Sequence, residues 1–174
     1  MNTRSQGTCQ LYICVVLYNT KIEQIRSLEG FQKLTGARKA VLVICDNSTE
    51  EEIISHNQQY AAGQSGMLYH GGGGNIGLPK NYNYVLREVA PKDAWVMLSD
   101  DDTLFSDAYL SEVLRCIEEP GKEKAWIVTG LIKSGDGSAF SPKKGNQIFA
   151  NEFLDQPGLY ENIYAVNSGL TISR

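Results

Sequence analysis

The stretch Leu11-Tyr-Ile-Cys-Val-Val-Leu-Tyr18 decides the fold. It is β-branched and aromatic and does not alternate apolar with polar residues, which marks a central strand covered on both faces. Such a strand belongs to an α/β sheet, so the sequence on its C-terminal side must supply covering helices. Lys21 to Leu34 carries Ile22, Ile25, Leu28 and Phe31 on a helical stripe, and Gly36 is placed to stop it. Ala40 to Cys45 reads as a second buried strand. Ser48 and Thr49, followed by Glu51 and Glu52, read as capping boxes for a helix whose apolar face is Ile53, Ile54, Tyr60 and Ala61.

The alternation continues. Met67 to Tyr69 is a short third strand running into Gly71-Gly72-Gly73-Gly74, and Pro79 suits the first turn of a helix bearing Val85, Leu86 and Val89. Asp93 to Leu98 makes a fourth strand, Ser106 or Asp107 caps a helix with Leu110, Val113, Leu114 and Ile117, and Ala125 to Ile132 makes a fifth strand. Beyond it, Ser134 to Ser138 and Lys143 to Asn146 read as hairpin turns, and Tyr164 to Ser173 is strand-like again. The expected architecture is a Rossmann-like α/β fold: a mostly parallel central sheet flanked by helices, with antiparallel strands near the C-terminus.

The 174 residues suit one domain, residues 1–174, and 42% hydrophobic content is enough for a core. Sixteen Lys and Arg against 20 Asp and Glu give a net charge of −4, with no basic run, so nucleic acid is excluded as the partner. The apolar stretch from Leu11 falls far short of the roughly 20 residues of a bilayer span, and Met1 to Gln6 opens no signal peptide, which leads us to expect a cytoplasmic protein. Cys9, Cys14, Cys45 and Cys116 show no CxxC spacing, and the three in or beside apolar runs read as packing thiols.

Open α/β sheets bind ligands beyond the carboxyl ends of their strands. The residues found there are Tyr18-Asn19-Thr20, Asp46-Asn47-Ser48, His70 with the glycines and Asn75, and Ser99-Asp100-Asp101-Asp102. Three adjacent carboxylates repel one another unless a cation or strong donors compensate, and together with diphosphate oxygens they form the shell preferred by Mg²⁺ or Mn²⁺. Asp46, delivered by a buried strand, is suited to accept the N–H of a pyrimidine base. Gly72, Gly74 and Gly77 match GxGxxG, but that fingerprint belongs to the first βα turn and these follow the third strand. His56 and His70 form no triad with a nucleophile.

The runs Cys14-Val-Val-Leu-Tyr-Asn19, Val-Leu-Val-Ile-Cys-Asp46-Asn47-Ser48, Gly74-Asn75-Ile76-Gly77 with Asn83, and Trp95-Val-Met-Leu-Ser-Asp-Asp-Asp102 resemble family 2 glycosyltransferases, from Leu11 to Arg174. The resemblance implies the nucleotide-sugar-binding GT-A fold. It places Asn19 and Asp46 at the nucleobase and ribose, with Tyr18 beside them, and Asn75, Gly77, Lys80 and Asn83 in the NxG-containing segment next to that pocket. Asp100, Asp101 and Asp102 match the DxD region, with Asp100 and Asp101 toward the nucleotide and Asp100 and Asp102 toward the metal on the literal DxD match; the family's common D-x-D-D form would instead put Ser99 first, which leaves the ligating carboxylate open. Asn167-Ser168-Gly169 with Arg174 is similar to the family's later strand on the acceptor side.

The implied activity is inverting transfer of a sugar from a UDP or dTDP sugar to a saccharide or lipid-linked saccharide acceptor, with Mg²⁺ or Mn²⁺, in bacterial surface-polysaccharide assembly. The family's general base lies downstream of that later strand, hence beyond Arg174, so the expectation is a chain truncated at its C-terminus, with attachment to the inner face of the membrane left open. The alternatives are a donor-binding module without turnover, a metal-dependent nucleotidyltransferase, and an NAD-dependent oxidoreductase built on Gly72, Gly74 and Gly77.

Overall fold

The computed structural model describes residues 11–118, 127–145 and 152–174. The readings placed on Met1 to Gln6, Cys9, Ala125, Trp126 and Asn146 lie outside the described residues. Strand β1 (Leu11–Leu17) is buried along its whole length. It pairs in parallel with β2 (Ala40–Asp46) on one side and with β4 (Trp95–Asp100) on the other, and β3 (Met67–Gly71) extends the sheet in parallel beyond β2. Beyond β4 the sheet turns antiparallel: β10 (Thr171–Ser173) runs between β4 and β5 (Ile127–Val128), giving the order β3-β2-β1-β4-β10-β5. The mostly parallel sheet with antiparallel strands from the C-terminal part is as expected.

The period of two along β1 assigns its residues to two cores. Leu11, Ile13, Val15 and Leu17 pack with Phe31 of α1 (Leu28–Gly36), Ala61 of α2 (Glu51–Ala62), and Leu110 and Val113 of α4 (Asp107–Glu118). Tyr12, Cys14 and Val16 point the other way, onto Val43, Cys45, Val96 and Leu98, and onto Val85 where α3 (Leu78–Tyr84) passes into the wider turn Val85–Val89. Cys14 and Cys45 are free buried thiols with sulfurs 3.8 Å apart, which is the packing role expected of them. Phe31 is fully buried at the centre of the first core. Phe31→Ala is expected to cost about 3–5 kcal/mol, read as a lower denaturation midpoint at unchanged slope.

Four local expectations give way to tertiary bonds. The helix expected over Lys21 to Leu34 is split into a 3-10 turn, Ile22–Gln24, and α1, because Arg26 N–H is drawn to Asp101 O at 2.9 Å and the Ser27 hydroxyl to Thr103 O at 2.8 Å. Ser48 and Thr49 do not cap α2: the helix starts at Glu51, while the Ser48 hydroxyl accepts the Asn19 N–H and Thr49 N–H is donated to Asn19 Oδ1. The expected fifth strand breaks into β5 and β6 (Ile132–Lys133) around Gly130, where an added Cβ would lie 2.3 Å from Tyr109 Cε2. Strand β6 then pairs with β7 (Ala139–Ser141) across the expected turn at Ser134 to Ser138. Lys143 and Lys144 are not a turn but β8 (Lys143–Lys144), paired with β9 (Ile163–Tyr164).

Candidate functional site

Strand order reverses between β1 and β4, so their carboxyl ends flank the crevice that an open α/β sheet offers to ligands. A cavity of about 490 Å³ opens there. Its walls are Tyr18 after β1, Asn47 after β2, Asn75, Gly77 and Leu78 at the start of α3, and Asp100, Asp101 and Asp102 at the end of β4. The sequence-predicted residues Tyr18, Asn75, Gly77, Asp100, Asp101 and Asp102 thus meet in one space. Lys80 and Asn83 do not join them; both are exposed on α3 and stand outside the cavity lining. The inward polar residue of that helix is Asn81, whose amide donates to Asn47 Oδ1 at 2.7 Å.

The three aspartates are not equivalent. Asp100 Oδ1 and Oδ2 accept bonds from the Asn167 amide at 2.9 and 3.1 Å, Oδ2 accepts the Ser168 hydroxyl at 2.5 Å, and Oδ1 receives the Tyr82 hydroxyl at 3.4 Å. Burial, with the Asp100 charge behind it, pushes the Tyr82 phenol well above its ordinary range and keeps it a neutral donor. Among the described residues, none donates to the side chains of Asp101 and Asp102. Their turn is held through its backbone: Arg26 N–H bonds Asp101 O, and Ser27 Oγ both donates to Thr103 O and accepts Phe105 N–H at 2.7 Å.

Asn167 and Ser168, expected with Gly169 on the acceptor side, bond Asp100 at the end of β4. Gly169 adopts φ 82°, and an added Cβ would lie 2.8 Å from Phe105 Cε1 and 2.9 Å from the Tyr109 hydroxyl, so this bend requires glycine.

Asp46 spends most of its acceptor capacity within the protein. It is 3% exposed, its Oδ1 accepts Ser48 N–H at 2.9 Å, and its Oδ2 accepts the Asn57 amide at 2.8 Å and the Tyr69 hydroxyl at 3.0 Å. Of about four acceptor positions on a carboxylate, one on Oδ1 is left for a ligand. Asn19, at φ 48°, spends its backbone N–H on Ser48 and its side-chain Oδ1 on Thr49 N–H, and it stands outside the lining of the cavity. A second cavity of about 170 Å³, lined by Asp46, Asn47, His70, Gly71, Gly73, Gly74, Ile76 and Asn81, adjoins the first at Asn47. The glycine run faces this smaller space at the outer strand β3, away from the β1–β4 crevice where a dinucleotide pyrophosphate would sit. His56 pairs with Glu23 at 2.7 Å on the surface.

Among the described residues, no three His, Cys, Asp or Glu side chains converge as a self-sufficient metal site. Two adjacent, unpartnered carboxylates at a cavity wall nevertheless fit a hard divalent cation, which takes one or two carboxylates and completes its shell with phosphate oxygens and water. Asp101 and Asp102 offer that donor set. Asp100 offers it only by surrendering bonds it already makes.

Three contributors escaped the sequence reading: Asn81, Asn57 and Ser27, all buried polar residues. Asn81 was legible, since it precedes the buried Val85 by four positions and so shares its helical face. Asn57 and Ser27 bond across 35 and 78 residues of sequence, and no local pattern announces that.

The described fold accords with the comparisons. The sequence model of glycosyl transferase family 2 matches residues 12–171. No curated protein sequence matches the chain. Among solved structures, a mannosyltransferase from Pyrobaculum calidifontis, in complex with GDP-Man and Mn²⁺, superposes with a TM-score of 0.55 at 17% identity, covering 71% of this chain and 35% of that one. The chain thus spans about a third of that enzyme's length, and the likeness is one of fold. With the family model matched over all but the ends, the chain belongs to glycosyl transferase family 2.

Proposed function

We propose that the crevice binds the nucleoside diphosphate of a sugar donor together with Mg²⁺ or Mn²⁺, as part of an inverting glycosyltransferase. The observation that carries this is the pair of unpartnered carboxylates, Asp101 and Asp102, on the wall of a cavity at the strand-order reversal. The GDP-Man and Mn²⁺ complex of the structural neighbour supports the same ligand class, with a UDP or dTDP sugar as the expected donor here. When bound, the cation would neutralise the charge that develops on the departing diphosphate.

This chain's own residues would divide the remaining work. Asp101 and Asp102 would hold the cation. The last Asp46 acceptor position and Asn47, which line the second cavity, would border the base and ribose, where directional polar contacts set specificity, with Asn19 following β1 in sequence order beside them. Tyr18, 54% exposed, offers a face for a base or sugar to stack on. Transfer forms a bond from an acceptor hydroxyl oxygen to the anomeric carbon as the bond to the diphosphate breaks, and the hydroxyl proton leaves to a base. The acceptor is a saccharide or lipid-linked saccharide, and surface-polysaccharide assembly on the cytoplasmic side of a bacterial membrane is the setting that suits it. Among the described residues, no helix is long and apolar enough to cross a membrane.

Calorimetric titration of UDP, dTDP, GDP and NAD⁺, each with Mn²⁺ and with EDTA, tests this. One nucleoside diphosphate is expected to bind with Mn²⁺ and to lose most of its affinity on chelation. Absence of any metal-dependent nucleotide binding refutes the donor site, and NAD⁺ binding that survives EDTA replaces it with the oxidoreductase.

A further inference from the structure

We propose that Asn167 and Ser168 are positioning residues for the metal-held diphosphate: with Tyr82 they occupy Asp100, withhold it from the cation and set the turn that presents Asp101 and Asp102. This inference rests on the donor reading above and assigns a role to a segment 67 residues away from the aspartates it governs.

The argument starts from lone pairs. A carboxylate offers about four acceptor positions, and a cation needs the same lone pairs that hydrogen-bond donors use. At Asp100, the Asn167 amide reaches both oxygens, the Ser168 hydroxyl takes Oδ2 at 2.5 Å and Tyr82 approaches Oδ1. The Asn167 amide also donates to the Tyr82 hydroxyl at 2.8 Å, so the donors around Asp100 are themselves joined. Each points a hydrogen where a cation would have to sit. Charge-assisted bonds of this kind are the strong ones, and they compensate the crowding of three neighbouring carboxylates without a metal.

The latch is itself fastened. Gly169 N–H bonds Leu98 O and Leu98 N–H bonds Leu170 O, both at 2.8 Å, which clips the lead-in of β10 to β4 just before Asp100. On the other side, the Tyr109 hydroxyl of α4 donates to Gly169 O at 2.8 Å. Freed from these partners, the Asp100 carboxylate would compete for the cation and repel Asp101 and Asp102, and the turn would lose the side chain that pins its first residue.

The test is calorimetry of UDP, dTDP and GDP with Mn²⁺ and with EDTA on wild type, Asn167→Ala, Ser168→Ala, Ser168→Thr and Tyr109→Phe, with a thermal midpoint for each. Asn167→Ala and Ser168→Ala are expected to weaken Mn²⁺-dependent binding about 10–100-fold, the usual effect of residues that orient a metal ligand. The EDTA affinity should move far less. Ser168→Thr keeps the hydroxyl and should restore binding, and Tyr109→Phe, which keeps the ring against Phe105 but frees Gly169 O, should fall between. Unchanged Mn²⁺-dependent affinity in both alanine variants, or equal losses with and without Mn²⁺, overturns the latch and leaves the donor reading standing. A wild type that binds no nucleoside diphosphate overturns both.

Discussion

Asp102→Ala is expected to weaken Mn²⁺-dependent binding of the preferred nucleoside diphosphate by about 100-fold or more, beyond the 10–100-fold typical of residues that only orient a ligand. The side chain faces the cavity without a protein donor among the described residues, so its removal subtracts a metal ligand and breaks no internal bond. Fold stability should stay within about 0.5 kcal/mol, as for other exposed substitutions. The sign of any small shift is itself informative. With EDTA present, deleting one of three neighbouring carboxylates relieves repulsion, so the apo variant should melt at or slightly above the wild-type temperature. With Mn²⁺ and nucleotide present the order reverses, because wild type gains binding energy that the variant lacks. Calorimetry and thermal melts in both conditions measure this crossover, and an Asp102→Ala protein with wild-type Mn²⁺-dependent affinity would remove this residue from the metal site.

The parts of this molecule that could be read from sequence are those where one residue's environment is set by its immediate neighbours. The unbroken apolar run at Leu11 to Leu17 forces a strand covered on both faces, and the polar residues that follow each strand must then emerge at the same edge, which is how Tyr18, Asn75, Gly77 and the aspartates came to be placed together. Where a polar side chain meets a distant backbone group, local pattern misleads. Ser48 beside Glu51 has the look of a helix cap, yet its hydroxyl is taken by Asn19 of the neighbouring strand end. Asp46 looks wholly uncommitted in sequence, and most of its acceptor positions are taken by Ser48, Asn57 and Tyr69 once β2, α2 and β3 pack. The distinction among Asp100, Asp101 and Asp102 was equally hidden, since three identical residues in a row differ only through Asn167 and Ser168.

Asn57→Ala is expected to cost about 3 kcal/mol or more, since each buried polar group left unpaired costs roughly 1–3 kcal/mol. Asn57 is fully buried, its carbonyl accepts Ile22 N–H at 2.9 Å, and its amide donates to Thr20 O at 3.0 Å and to Asp46 Oδ2 at 2.8 Å. One side chain therefore ties together the loop after β1, the 3-10 turn and Asp46. For a chain of this length each kcal/mol lowers the melting temperature by about 2–4 °C, so a fall of roughly 6–12 °C is expected. Asn57→Asp separates hydrogen bonding from shape. It keeps the volume and the acceptor for Ile22, but sets a second carboxylate against Asp46, and two buried carboxylates at that distance repel until one takes up a proton. The folded variant then holds a proton that the unfolded chain would release at neutral pH, so its stability deficit should be largest at pH 7 and shrink on acidification, as linkage requires of a group that binds protons more tightly when folded. Asn57→Ala carries no such group and should show no comparable recovery. Denaturation of both variants and wild type at pH 7 and pH 5 reads the difference, and equal pH dependence of the two variants would show that Asn57 does not face Asp46 in the folded protein.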